Sequence, residues 1–242
     1  MSKEKKFSEI KNQLYFGDEM ERLDACDKLG IIANDEAAQL LVTCLGDSSV
    51  YVRSRAASRL EKIAGSGVCS LLLNLLREEN AFLRGQAMRL LSRLGPLAME
   101  ALSRTIADED DDMRILSATV LGEMKDPEAA DILLGALASD PNINVRYMAA
   151  ESLGKIGNPT AIPFLLKTIK SSSYLAYPAI ESLGFLKAAA AEALLRKIVE
   201  QDDWLRYPAI EALGNIAAPA SVDTIIKHLD NANPLIQRAA IT

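Results

Sequence analysis

The stretch NVRYMAAESLGKIG, residues 144–157, decides the fold. At about 100° per residue, Val145, Ala149, Ala150, Leu153 and Ile156 fall on one side of a helix, and Tyr147, Met148 and Glu151 fall opposite. One such helix proves little, but this one recurs. Positions equivalent to Arg146 are Arg22, Arg53, Arg84, Arg114, Ala176, Arg206 and Gln237, with successive spacings of 31, 31, 30, 32, 30, 30 and 31 along the whole set. The small residue three places on is Ala25, Ala56, Ala87, Ser117, Ala149, Ala179, Ala209 and Ala240, and the leucine seven places on is Leu29, Leu60, Leu91, Leu121, Leu153, Leu183 and Leu213. Glycine follows that leucine at Gly30, Gly122, Gly154, Gly184 and Gly214, with Glu61 and Ser92 in its place twice.

Each period also holds a second apolar helical stretch, such as AADILLGALASD or AIPFLLKTIK, set off by short Asp, Asn, Ser, Gly or Pro clusters that supply caps and turns. The unit is therefore a helical hairpin. No strand-like alternation interrupts the pattern, so the expected class is all-α, and hairpins repeating at this period stack into an α-solenoid. The expectation is a single solenoid over 1–242 of about eight hairpins, at approximately 1–33, 34–64, 65–95, 96–125, 126–157, 158–187, 188–217 and 218–242, the last incomplete.

The signature V-R-x-x-A-A-x-x-L-G-x-I-G after an acidic or Asn-containing turn resembles the HEAT-like repeats of the phycobilisome-lyase type, over nearly the whole chain. The resemblance implies that the second helix of each hairpin lines a concave surface and that the recurring Arg and a turn Asp form a structural ladder. Asp47 with Arg53 and Asp140 with Arg146 stand at its spacing of six. Repeat six, SSSYLA, has neither residue, which makes Ala176 a candidate soft joint.

Composition narrows the function. The 33 acids and 27 bases give a net charge of −6, spread evenly, with 19 acids against 16 bases in residues 1–121 and 14 against 11 in residues 122–242. A global cationic footprint for nucleic acid or anionic lipid is missing. The polar start MSKEKKFSEIKNQL and the lack of any long apolar run argue against a secretion signal or a membrane span, so a cytoplasmic location is expected. Cys26, Cys44 and Cys69 lie in apolar helical segments with no C-x-x-C pair, as buried, inert thiols do. The acidic run Asp108–Asp112 lacks the glycine and terminal glutamate of a calcium loop and reads as favourable charge at a helix N-terminus, so neither metal nor cofactor is expected.

The outward phases carry the candidate site. In the later repeats they hold Tyr147 and Glu151; Tyr174, Tyr177, Pro178 and Glu181; and Trp204, Tyr207, Pro208 and Glu211. Tyrosine and glutamate four residues apart share a helix face, which suits a cationic side chain or an extended basic peptide. The alternative is that the rings pack between repeats and the glutamates are solvated. Pro178 and Pro208, read as lying away from the core about a turn inside their helices, predict a bend in each. Arg55, Arg89 and Arg93 face outward in repeats two and three, a secondary basic patch that would make the groove bipolar.

Enzymatic precedents among HEAT-like proteins fit poorly. Resemblance to deoxyhypusine hydroxylase would demand His-Glu pairs where this chain has Tyr147-Met148, Tyr177-Pro178 and Tyr207-Pro208, and the sole histidine, His228, lies in a first helix. Glu151, Glu181 and Glu211 would repel the phosphates that a HEAT-like DNA glycosylase must hold. A bilin-lyase-like or other ligand-handling activity remains the alternative, since a tetrapyrrole could stack on the aromatic row. The leading expectation is a non-enzymatic scaffold that binds a protein or peptide partner of basic character in its concave groove. The lysine-rich N-terminus reads as a cap, whereas NPLIQRAAIT stops at the fifth place after the reference position, so a longer native chain, or a partner over the last repeat, is expected.

Overall fold

A computed structural model describes residues 3–231 and 233–241. Met1, Ser2, Ala232 and Thr242, which fall in the first and last expected repeats, lie outside the described residues. Among those described there is no strand, and the protein is an all-α solenoid of paired helices. It divides into two compact units, residues 1–104 and 105–242, and the division falls inside the expected fourth repeat.

The first unit contains α1 (Lys3–Phe16), α2 (Glu19–Ile32), α3 (Asp35–Thr43), α4 (Val50–Lys62), α5 (Ser66–Leu76), α6 (Ala81–Leu94) and α7 (Pro96–Thr105), whose last residue lies past its boundary. Helices α1 with α2, α3 with α4 and α5 with α6 pack as hairpins, while α2, α4 and α6 pack in a row. The second unit contains α8 (Asp111–Met124), α9 (Ala129–Ser139), α10 (Ile143–Ile156), α11 (Ile162–Ser171), α12 (Ser173–Phe185), α13 (Glu192–Gln201), α14 (Arg206–Ile216), α15 (Val222–Ile226) and α16 (Pro234–Ile241). Here α8, α10, α12, α14 and α16 form the row, and α9, α11, α13 and α15 back it.

The caps explain why helices start and stop where they do. Asp18 and Glu21 form a reciprocal capping box on α2, and Asn34, Ser49, Asn80, Asp110, Asn142 and Ser172 each accept a backbone N–H from the helix that follows. The position eleven after the reference arginine has positive φ in most repeats, at Ala33, Gly95, Lys125, Gly157, Lys187 and Ala217, which ends the second helix. His228 lies in the turn after α15 and not within a helix, because α15 ends at Ile226.

The seven leucines of the repeat, Leu29, Leu60, Leu91, Leu121, Leu153, Leu183 and Leu213, are each 0% exposed. Burial at that level contributes about 1.5–3 kcal/mol per side chain against the chain entropy lost. The glycine beside them lets neighbouring second helices touch. A Cβ at Gly154 would lie 2.7 Å from Ser182 Cα, and one at Gly184 would lie 2.8 Å from Ala212 Cα. Ser182 Oγ donates to the Ala150 carbonyl at 2.8 Å, tying α12 to α10 beside that crossing.

The arginine–aspartate ladder is present with a different register from the expected one. Asp47 accepts from Arg22 of the preceding repeat, at 2.8 and 3.1 Å, while Arg53 donates to the Asp47 and Ser48 carbonyls. In the second unit Asp140 accepts from Arg114 at the same two distances, and Arg146 reaches the Leu137 carbonyl. A spacing of six brings a guanidinium to the backbone of its own turn, and the carboxylates that Arg22 and Arg114 grip with two nitrogens come from the turn of the next repeat. Arg114 also takes the Asp108 and Glu109 carbonyls and pairs with Asp111, so the acidic run serves to hold it.

Candidate functional site

Helices α10, α12 and α14 present Tyr147 and Glu151, Tyr177 and Glu181, and Tyr207 and Glu211 at one phase of three successive repeats. All six side chains are half-buried. Tyr207 donates to Glu211 Oε1 at 2.6 Å, and Tyr177 stands in the same i,i+4 relation to Glu181 on α12. Glu151 is bound instead by Lys155, one turn on, at 2.7 Å.

The three carboxylates are close enough to act on each other. Burial, reinforced by the charges of Glu151 and Glu211, raises the Glu181 carboxyl above its ordinary value, and the Tyr177 hydroxyl offsets only part of this. Among the described residues Glu181 has no ion pair. The hydrogen bond to Glu211, followed by burial, pushes the Tyr207 phenol up to about 12. Burial, then the neighbouring glutamates, raises Tyr147 and Tyr177 as well. A row of neutral phenols thus lies beside three acids, of which the middle one lacks a cation.

A cavity of about 460 Å³ opens at one end of this row, lined by Glu181, Phe185, Tyr207, Glu211, Asn215 and, from α16, Arg238. Trp204, 82% exposed, sits in the turn before α14. Tyr174, half exposed, packs against Tyr147 with centroids 5.5 Å apart and ring planes tilted by 54°, and donates to Asn144 Oδ1. That ring pair therefore covers the junction between repeats, as the alternative reading of the tyrosines expects.

The two prolines differ from expectation. Pro178 and Pro208 are both buried, so neither faces away from the core. Position +2 lies one turn before position +6, whose residues Ser182 and Ala212 dock on the preceding repeat, and so shares the face turned towards that neighbour. Pro178 is inside α12 and removes the hydrogen bond to the Tyr174 carbonyl. Pro208 is the third residue of α14, in the first turn, where a missing N–H costs nothing.

The arginines named from sequence are all in the first unit. Arg55 pairs with Asp27, which also binds Arg59 at 2.8 Å, and Arg93 pairs with Glu61 at 2.8 Å. Arg89 is exposed. Two of the three are thus offset by acids one repeat earlier.

Sequence reasoning named Tyr174 and Trp204 at one outward phase but did not follow that phase into the other copies of either unit. Two places before the reference position, Met20, Tyr51 and Phe82 in the first unit and Tyr174, Trp204 and Leu235 in the second are exposed, from 47% at Phe82 to 82% at Trp204. Arg53 lies over the Phe82 ring at 5.2 Å. The repeat register would have shown a second row had that phase been followed through every copy.

Cys26, Cys44 and Cys69 are buried free thiols, with the Cys44 thiol donating to the Leu40 carbonyl at 3.2 Å. Among the described residues no cluster could hold a metal, and no helix is long and apolar enough to cross a membrane.

The HEAT repeat family model matches residues 11–92 and 98–184, and the PBS lyase HEAT-like repeat model matches residues 205–231. The chain belongs to the HEAT repeat family. No curated protein sequence matches it. Among solved structures it is similar to the karyopherin Kap121p bound to the extreme C-terminus of the protein phosphatase Cdc14p, at a TM-score of 0.54 and 14% identity, over 98% of this chain and 32% of that one. It is also similar to the Escherichia coli protein YibA, at 0.50 and 18%, over 99% and 91% of the two chains. The complex of CpcE and CpcF of phycocyanin lyase from Nostoc sp. PCC7120 matches at 0.45 and 24%, over 84% and 91%. These likenesses extend to the fold.

Proposed function

We propose that this protein is a non-enzymatic docking scaffold whose second unit binds a protein or peptide segment bearing cationic side chains along α10, α12 and α14. The observation that carries the reading is the repeated tyrosine–glutamate pair with Glu181 half-buried and without a cation at its centre. A half-buried carboxylate between two others is costly to ionise, and an ammonium or guanidinium brought by a partner offsets that cost while the rings supply cation–π contact. The karyopherin complex, in which a stack of this kind is bound to the end of another protein, is a precedent at the level of the fold. We assign the scaffold to the cytoplasm, in keeping with its free thiols.

A peptide array screened with the wild type and with Tyr147→Ala/Tyr177→Ala/Tyr207→Ala tests the reading. Selection of basic peptides by the wild type, weakened about tenfold or more in the variant, is expected if each ring contributes about 0.5–1 kcal/mol. Glu181→Lys/Glu211→Lys serves as a second variant that leaves the Tyr147–Tyr174 pair in place. Equal binding by all three proteins would rule the groove out.

A further inference from the structure

The repeat dictates more than the charge of the partner. Neighbouring helices pack about 8–10 Å apart, so the glutamates of α12 and α14 recur along the row at about that interval. An extended strand returns a side chain to one face every second residue, about 6.6–6.8 Å, which is too short. A polyproline-II helix returns one to the same face every third residue, about 9.3 Å, which fits. It also has no backbone ladder to satisfy and loses little entropy on docking, and aromatic-lined grooves suit it.

Occupancy along the row sets the number of cations. Glu151 is already bound by Lys155. Among the described residues neither Glu181 nor Glu211 has an ion pair; Glu211 accepts from the Tyr207 hydroxyl at 2.6 Å, Glu181 has Tyr177 one turn before it, and both line the 460 Å³ cavity that opens between α12, α14 and α16. Arg238 of α16 lines the same cavity and its charge acts on Tyr207, so the row already has a cation on the α16 side. Two adjacent carboxylates thus remain for a partner.

We propose that the groove takes a polyproline-II segment carrying two cationic residues three positions apart, one at Glu181 and the next at Glu211. This rests on the docking function proposed above and specifies its register. The rings of Tyr177 and Tyr207 lie on the row beside the two acids and flank the intervening residues, which are therefore apolar, proline above all.

Three fluorescent peptides of identical composition, rich in proline and with two lysines at spacings of two, three and five residues, test it by anisotropy titration against the wild type, Glu181→Gln and Glu211→Gln. The spacing of three is expected to bind at least tenfold more tightly than the others, and either glutamine variant is expected to abolish that preference. Equal affinity for all three spacings, or preference for two or five, overturns the register while leaving groove docking in place. Absence of binding by every peptide overturns both.

Discussion

Two glycines at the same phase of the repeat should respond in opposite ways to one methyl group. Gly154 of α10 and Gly214 of α14 each stand eight places after the reference arginine, inside a helix. In a helix interior, alanine is favoured over glycine by about 0.8–1 kcal/mol. A Cβ at Gly154 would stand 2.5 Å from Ser182 Oγ and 2.7 Å from Ser182 Cα, so backbone must give way and not merely a side-chain tip. Overpacking of this kind costs about 1–3 kcal/mol, and a backbone collision belongs in the upper half of that range. The net effect of Gly154→Ala is a loss of about 1–2 kcal/mol. A Cβ at Gly214 would meet nothing within 4 Å, so Gly214→Ala keeps the full gain of about 1 kcal/mol. Urea unfolding followed by far-ultraviolet circular dichroism would separate the two variants by about 1 M in midpoint, taking a slope of about 2–3 kcal/mol/M. If both alanines stabilise alike, the close approach of α10 and α12 is not what fixes glycine at this phase.

Other perturbations follow from the same geometry. Arg114→Ala leaves Asp140, whose side chain is 6% exposed, without its fork, and should cost about 3–5 kcal/mol in a chemical melt; a loss under about 1 kcal/mol would deny the pair its role as the joint between repeats. Lys187→Gly, at a φ of 48°, should gain up to about 1 kcal/mol by relieving left-handed strain, and a lower melting temperature would contradict that account. Glu181 is acted on by Glu151 of α10, which is itself paired with Lys155, by Tyr177 on its own helix and by Glu211 from α14, and it shares a cavity with Tyr207 and with Arg238 of α16. Because its carboxyl is held above the ordinary range, the folded chain keeps a proton there that the unfolded chain releases. Its contribution to stability therefore falls as pH rises through that window and is gone above the raised value. Glu181→Gln should melt higher than the wild type at pH 7 and converge with it below about pH 4; parallel profiles would show that the residue is not desolvated.

How much of this was legible in the sequence depends on whether a feature is local to one repeat or shared between two. The leucine seven places after the reference arginine marks the core in every copy where it stands, because a single helix decides which face it buries. The tyrosine–glutamate pairs were readable for the same reason, being four residues apart on one helix. The ion pair of Asp47 with Arg22 was not, because it spans 25 residues and depends on how one hairpin docks on the next. The prolines failed for a related cause. A second helix is covered by its own first helix and by second helices on either side, so its buried arc is wider than one apolar stripe and takes in Pro178, Ser182 and Pro208. The pairing of Arg55 and Arg93 with acids of the preceding repeat belongs to the same class of contact, whereas the Tyr207–Glu211 hydrogen bond lies within one helix.

The proposed docking surface can be located directly. A proline-rich peptide with lysines three residues apart and a photoreactive group between them, cross-linked to the full chain and mapped by mass spectrometry, is predicted to label α10, α12 and α14 around Tyr147, Tyr177 and Tyr207, with labelling suppressed in Glu181→Lys. Adducts confined to the first unit, or spread without preference and unchanged in that variant, would contradict the account.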